Sequence, residues 1–166
     1  AVIEFHERYK PVGLKPYYTF NKYDIMGDKY DEWFKYGDNN RLIMLVHSGQ
    51  PEIAEKVAAL SEKYKNMAFL LAHSGMSYKT ADCNIAVAKA RDNVYFEITF
   101  TSLTNGIIEY MVKQAGADKV IFGTDMPMRD PAPQLAWVCY AKISVDDKKK
   151  ILGGNIQKLL SRCYTH

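Results

Sequence analysis

The pattern that most narrows the possible folds is a set of short apolar runs that do not alternate. Residues 42–46, 67–72 and 120–122 place apolar side chains at successive positions, as strands buried on both faces of a parallel sheet do. A turn and a helical stripe follow each run. After 42–46 come His47-Ser48-Gly49-Gln50, then Pro51 at a suitable first helical position, then Ile53, Val57, Leu60 and Tyr64 on one stripe. Residues 67–72 lead to His73-Ser74-Gly75 and a predicted helix over 80–91, and 94–99 lead to one that starts near Ser102 and is capped by Gly116. Residues 119–124 reach Asp125 before a Pro-rich turn. Upstream, 12–18 reads as a further strand with an irregular end at Pro16, followed by a helix over 28–36. The strand ends near Lys15, His47, His73, Glu97 and Asp125 recur at about the 30-residue interval of a strand, a helix and two loops. The fold class is α/β, with five βα units in a single domain spanning 1–166. Ser144-Val145-Asp146-Asp147 resembles a capping box opening a terminal helical region, broken at Gly153-Gly154 and resumed at Ile156, Leu159 and Leu160.

Composition supports a folded domain and excludes several functions. With 48% hydrophobic and 13% aromatic residues in 166, the chain can bury a real core. Its 22 Lys and Arg nearly balance 19 Asp and Glu, and the run Lys148-Lys149-Lys150 reads as a solvated helix face. No nucleic-acid partner is implied. No apolar run approaches the roughly 18 residues of a membrane span, and no signal-peptide layout is present. The cysteines Cys83, Cys139 and Cys163 form no C-x-x-C pair and are odd in number, which points to a reducing, cytoplasmic compartment. Residues 1–10 already read as a helix in progress, with Val2, Phe5 and Tyr9 on one side.

Strand ends are where the chemistry is expected, because side chains from several parallel strands converge there. The chain places His47, His73 and Asp125 at such ends. Simple alternation groups His47 with Leu45 and Ile43, His73 with Leu71 and Phe69, and Asp125 with Gly123 and Ile121. Imidazole and carboxylate are ligands that hold a divalent ion, zinc first and manganese second, while leaving room for water. A lone strand-end histidine is more often a structural residue. Two copies of apolar run-His-Ser-Gly followed by Gly-Thr-Asp-Met-Pro shift the reading toward a site. Ser48 and Ser74 lie outside any G-x-S-x-G elbow and are assigned to the turns.

Val46-His47-Ser48-Gly49, Ala72-His73-Ser74-Gly75, Phe122-Gly123-Thr124-Asp125-Met126-Pro127 and Ile151-Leu152-Gly153-Gly154-Asn155 resemble the amidohydrolase-related family, the branch with aminocarboxymuconate semialdehyde decarboxylase-like enzymes. The resemblance implies the last five units of an eight-unit TIM barrel and a metal-dependent hydrolase of a small-molecule amide, ester or lactone, or a related decarboxylase. It makes His47 a metal ligand, His73 a ligand of a second metal or a group that polarises substrate, and Asp125 a ligand and proton shuttle. Lys15 falls where some two-metal relatives carry a carbamylated lysine, and substrate contact or an ion pair are its other readings. Glu97 lines the pocket or orients a loop. Arg129 clamps a substrate carboxylate or is a solvated loop charge. The family's first-strand His-x-His is absent, and His6 lies in the initial helix. The expectation is that roughly 100 residues of an approximately 250-residue barrel precede this sequence, or that a second copy completes the site. Two rival readings are a TatD-like metal nuclease, disfavoured by Lys15 and the lack of a basic stripe, and a barrel fragment that serves as a binding or scaffold module.

Overall fold

The computed structural model describes residues 2–99 and 104–165. Among them, five strands form one parallel sheet: β1 (Gly13–Leu14), β2 (Ile43–His47), β3 (Ala68–Ala72), β4 (Val94–Glu97) and β5 (Val120–Ile121). The spatial order is the chain order, β1-β2-β3-β4-β5. That order separates two ways of covering a parallel sheet. A doubly wound sheet reverses direction and places helices on both faces, whereas unbroken order sends every crossover to the same side and bends the sheet into a barrel arc.

The crossovers are α2 (Tyr18–Asn21) and α3 (Asp31–Asn39) after β1, α4 (Pro51–Lys63) after β2, α5 (Tyr78–Ala90) after β3 and α6 (Ile107–Ala115) after β4. Helix α1 (Val2–Tyr9) precedes β1. Met44, Val46, Phe69, Leu71, Val94, Phe96 and Val120 point toward these helices and share a core with Phe34, Val57, Leu60, Ile85 and Met111. The alternate residues Ile43, Leu45, Ala68, Leu70, Tyr95 and Ile121 form the second face. Both faces are apolar, so the runs do not alternate.

What covers the second face is the end of the chain. After β5 come α7 (Ala132–Tyr140), α8 (Val145–Lys149), a π-helical stretch over Lys150–Gly154 and α9 (Asn155–Leu160). Asn155 donates to the carbonyls of Ala117 and Val120 at 2.7 and 2.8 Å, anchoring α9 at the start of β5. Ile156, Leu159 and Cys163 then pack on the second face. The tail passes under the strand starts: Arg162 donates to Asn66 O, and Tyr164 donates from its main chain to Asn40 O and from its hydroxyl to Pro11 O. No helix among the described residues is long and apolar enough to cross a membrane.

Three local expectations change. The strand over 12–18 shrinks to Gly13–Leu14, because Lys15-Pro16 ends the pairing and Tyr18 opens a short helix. The helix expected from Ser102 is observed from Ile107, behind the left-handed Gly106, and 100–103 lie outside the described residues. Gly153-Gly154 does not break the terminal region, since the π-turn carries the helix through both glycines. The N-cap half of the expected capping box forms: Ser144 Oγ accepts from Asp147 N at 3.0 Å and donates to Asp147 Oδ2 at 2.7 Å. Leu159, 3% exposed against four strands, tests whether the tail completes the fold. Leu159→Ala should cost about 2–5 kcal/mol in chemical denaturation, and a loss under about 1 kcal/mol means that the tail is a dispensable cover.

Candidate active site

Register brings the site together. Five residue pairs align β2 with β3 and set His47 opposite Ala72, so the next residue, His73, emerges beside His47 at the carboxyl end of the sheet. Alternation alone sends His73 the wrong way, because Leu71 and Phe69, the residues expected to share its face, belong to the helix-side core. The backbone resolves this. His73 adopts a left-handed conformation, φ 63°, which breaks the pleat and turns its ring toward His47. Their rings lie 4.5 Å apart between centroids, with His73 Nε2 3.1 Å from His47 Nδ1. Asp125 is left-handed too, φ 61°. Such conformations cost a non-glycine residue of order 1–3 kcal/mol and concentrate at functional sites.

The protonation pattern follows from the partners. His73 Nδ1 lies 2.8 Å from Thr99 O. A carbonyl only accepts, so in the neutral ring Nδ1 carries the proton and Nε2 keeps the lone pair. Burial lowers the His47 pKa below its ordinary 6.5, the charges of His73 and Lys15 lower it further, and Asp125 opposes them. That shift favours the neutral imidazole, whose nitrogen lone pair can be offered to an electrophile. Tyr18 donates its hydroxyl to the His47 carbonyl and fixes that strand end.

The two His-Ser-Gly turns share one brace that local sequence does not reveal. Ser48 Oγ donates to Ala72 O at 2.5 Å and Ser74 Oγ to Leu71 O at 2.7 Å. Asn84, buried on α5, donates to both hydroxyls at 3.2 and 2.9 Å. Both serines thus serve the turns.

Lys15 reaches the site from β1, with Nζ 3.9 Å from Asp125 Oδ1. Arg129 closes the loop after β5, donating its main-chain N–H to Asp125 O at 3.2 Å, and its side chain is half-buried. Glu97 is 4% exposed. Its Oε1 accepts from Thr99 N at 3.0 Å and from the Thr99 hydroxyl, while Oε2 is buried without a hydrogen-bond partner. Burial pushes its pKa from 4.5 to about 7, against stabilisation by the Thr99 side chain, the Thr99 main chain and the His73 main chain, in that order. Glu97 therefore sits beneath the mouth. A cleft of about 280 Å³ opens beside the two histidines, lined by Tyr18, Gln50, Ile53 and Met76.

Among the described residues, no three His, Cys, Asp or Glu side chains converge closely enough to hold a metal ion. The donor types suit a divalent ion, and two ring nitrogens 3.1 Å apart approach the roughly 3.4 Å that two ligands about 2.1 Å from one tetrahedral ion would have. The described residues offer a pair of donors and a nearby carboxylate, part of a coordination set.

The sequence matches the family model described as amidohydrolase over residues 3–162. Its structure resembles an uncharacterised TIM-barrel protein from Bordetella bronchiseptica, with a TM-score of 0.78 at 18% identity, covering 96% of this chain and 60% of that one. It is also similar to 4-oxalomesaconate hydratase from Rhodopseudomonas palustris, at 0.65 and 12%, over 97% of this chain and 60% of that one. A dihydroxybenzoic acid decarboxylase from Polaromonas, with bound manganese and the inhibitor 2-nitroresorcinol, matches at 0.57 and 17%, over 81% and 54%. The chain spans little more than half the length of these structures, and the shared fold is part of a TIM barrel. A search of curated proteins returned no match.

Glu97 generates a pH prediction. Below about pH 4.5 the carboxyl is protonated in both folded and unfolded chains. Between 4.5 and about 7 the unfolded chain releases its proton first, so stability falls as pH rises and the penalty is complete above 7. Glu97→Gln should remove that fall, so the stability difference between variant and parent, from denaturation at pH 4.5 and 7.5, should grow in favour of the variant. A difference independent of pH rejects the raised pKa.

Proposed function

The chain belongs to the amidohydrolase family, and from that premise we propose that it supplies part of the active site of a metal-dependent hydrolase acting on a small molecule. The observation that carries this reading is the pair of imidazoles held 3.1 Å apart at the ends of adjacent parallel strands. In the proposed site His47 and His73 give nitrogen and Asp125 gives a carboxylate oxygen to a divalent ion, zinc or manganese. Further donors come from a preceding part of the barrel or from a second copy. Manganese in the Polaromonas decarboxylase supports a divalent ion without choosing between the two. Such an ion, when bound, supplies Lewis acidity toward a substrate oxygen and lowers the cost of deprotonating water.

The chain's own residues would do the rest. Asp125, beside Lys15, would hold a proton taken from water and return it to the leaving group. His73, with its ring orientation set by Thr99 O, has only Nε2 to offer, and where that nitrogen does not serve as a ligand it would face the substrate. Lys15 and Arg129, the cations nearest Asp125 in space and along the loop, would hold an anionic substrate group. The bond broken is that of an amide, ester or lactone. Decarboxylation is the other chemistry, and the decarboxylase and hydratase among the structural neighbours support that breadth. The free thiols Cys83, Cys139 and Cys163 support a reducing, cytoplasmic setting.

Calorimetric titration with Zn²⁺ and Mn²⁺ of the protein that contains the whole barrel tests the assignment. His47→Ala should weaken affinity at least about tenfold, and a protein that binds neither ion, with or without the substitution, refutes the hydrolase reading. Against a panel of esters, lactones and aromatic carboxylates, Asp125→Asn should lower turnover by about 10²–10⁴-fold. Near-normal turnover removes Asp125 from the mechanism.

A further inference from the structure

We propose that Glu97 is a positioning residue for this site: from beneath the mouth its carboxyl fixes the carbonyl that orients the His73 ring, and it seats the glycine that leads into Asp125. The inference rests on reading His73 and Asp125 as site residues. One carboxyl oxygen touches both arms of the site. Oε1 accepts from the Thr99 main chain at 3.0 Å and from the Thr99 hydroxyl, which pins that residue from two sides. The pinned carbonyl, Thr99 O, receives His73 Nδ1 at 2.8 Å. Glu97 acts on His73 from its main chain as well, since its own carbonyl accepts from Ser74 N at 3.0 Å.

The other arm is steric. A Cβ on Gly123 would stand 1.6 Å from Glu97 Oε1 and 2.5 Å from Thr99 Oγ1, so the carboxyl lies against the bare Cα of Gly123. Only glycine leaves that room. Two residues later the chain reaches the left-handed Asp125. The glycine of Gly-Thr-Asp is thus explained by Glu97, whose carboxyl lies between the residue that holds the His73 ring and the chain that leads to Asp125.

A second-sphere partner that fixes which histidine nitrogen carries the proton leaves a spectroscopic signature. Ring ¹⁵N–¹H correlation spectra of the purified protein should show His73 as the Nδ1–H tautomer. Glu97→Met removes the acceptor, and Thr99→Val removes one donor that ties Thr99 to it. Each should shift His73 toward a mixture of tautomers in a protein whose circular dichroism remains that of the parent. Gly123→Ala, which displaces the carboxyl, should do the same. Glu97→Gln, whose amide oxygen still accepts from Thr99, should restore the parent pattern. If Glu97→Met does not fold, Thr99→Val decides alone. A folded Glu97→Met or Thr99→Val protein with unchanged His73 signals overturns the proposal, as does a Glu97→Gln protein disturbed as much as Glu97→Met. Zinc added to the same samples tests the functional reading separately, because the tautomer comparison is made without metal.

Discussion

The pairing of β2 with β3 runs without a bulge from Ile43 opposite Ala68 to His47 opposite Ala72, and the site exists only in that register. A slip of one residue would move His47 to the helix-side face and bring Val46, a core residue, to the mouth. The register is held from both faces. Met44, Val46, Phe69 and Leu71 are buried against helices, while Ile43, Ala68 and Leu70 are buried under the tail. At about 25 cal/mol per Å² of apolar surface, a slip that exposes several such side chains costs far more than any single hydrogen bond at the site contributes. Packing therefore decides where the histidines stand, and hydrogen bonds decide how they face.

The arc has two ends, and the chain treats them differently. At the strand starts the tail binds Pro11, Asn40 and Asn66 through Tyr164 and Arg162, tying β1, β2 and β3 to α9. At the carboxyl ends the polar network of Ser48, Ser74 and Asn84 holds the two His-Ser-Gly turns. One end is closed by main-chain carbonyls and apolar contacts, the other by side chains that leave a cleft. That division between stability and function is the barrel's usual one.

The strands were legible because burial on both faces writes unbroken apolar runs, and the proximity of His47 and His73 was legible because each follows such a run on adjacent strands. Other features lack a local signature. Helix α7 opens at Ala132-Pro133 behind Pro127 and Pro131, and a proline-rich stretch reads as a turn even where prolines sit at a helix start. The π-turn through Gly153-Gly154 cannot be distinguished from a break by residue type. Alternation misplaced His73 because a left-handed residue after a strand reverses the pleat, and nothing in Ala72-His73-Ser74 announces φ 63°. Asn84, Thr99 and the burial of Glu97 depend on partners 10 or more residues away in most of their contacts, so a reading of local pattern has no access to them.

Those long-range contacts also explain why a marginally stable domain tolerates unfavourable elements here. A buried carboxyl with one oxygen unmatched, and left-handed backbone at a histidine and an aspartate, each oppose folding. They occur at neighbouring positions, whereas the sheet beneath them is apolar and unstrained. Local rules are broken together at one end of the sheet, where holding two imidazoles and a carboxylate in place requires geometry that a relaxed chain would not adopt. Returning the His73 backbone to the extended region would relieve its left-handed strain but take the ring away from His47 and from Thr99 O, whereas a side chain at Gly123 relieves nothing and clashes with the Glu97 carboxyl. Substitutions that remove this strain should therefore tend to stabilise the domain at the expense of the site, the opposite of their effect in the sheet below.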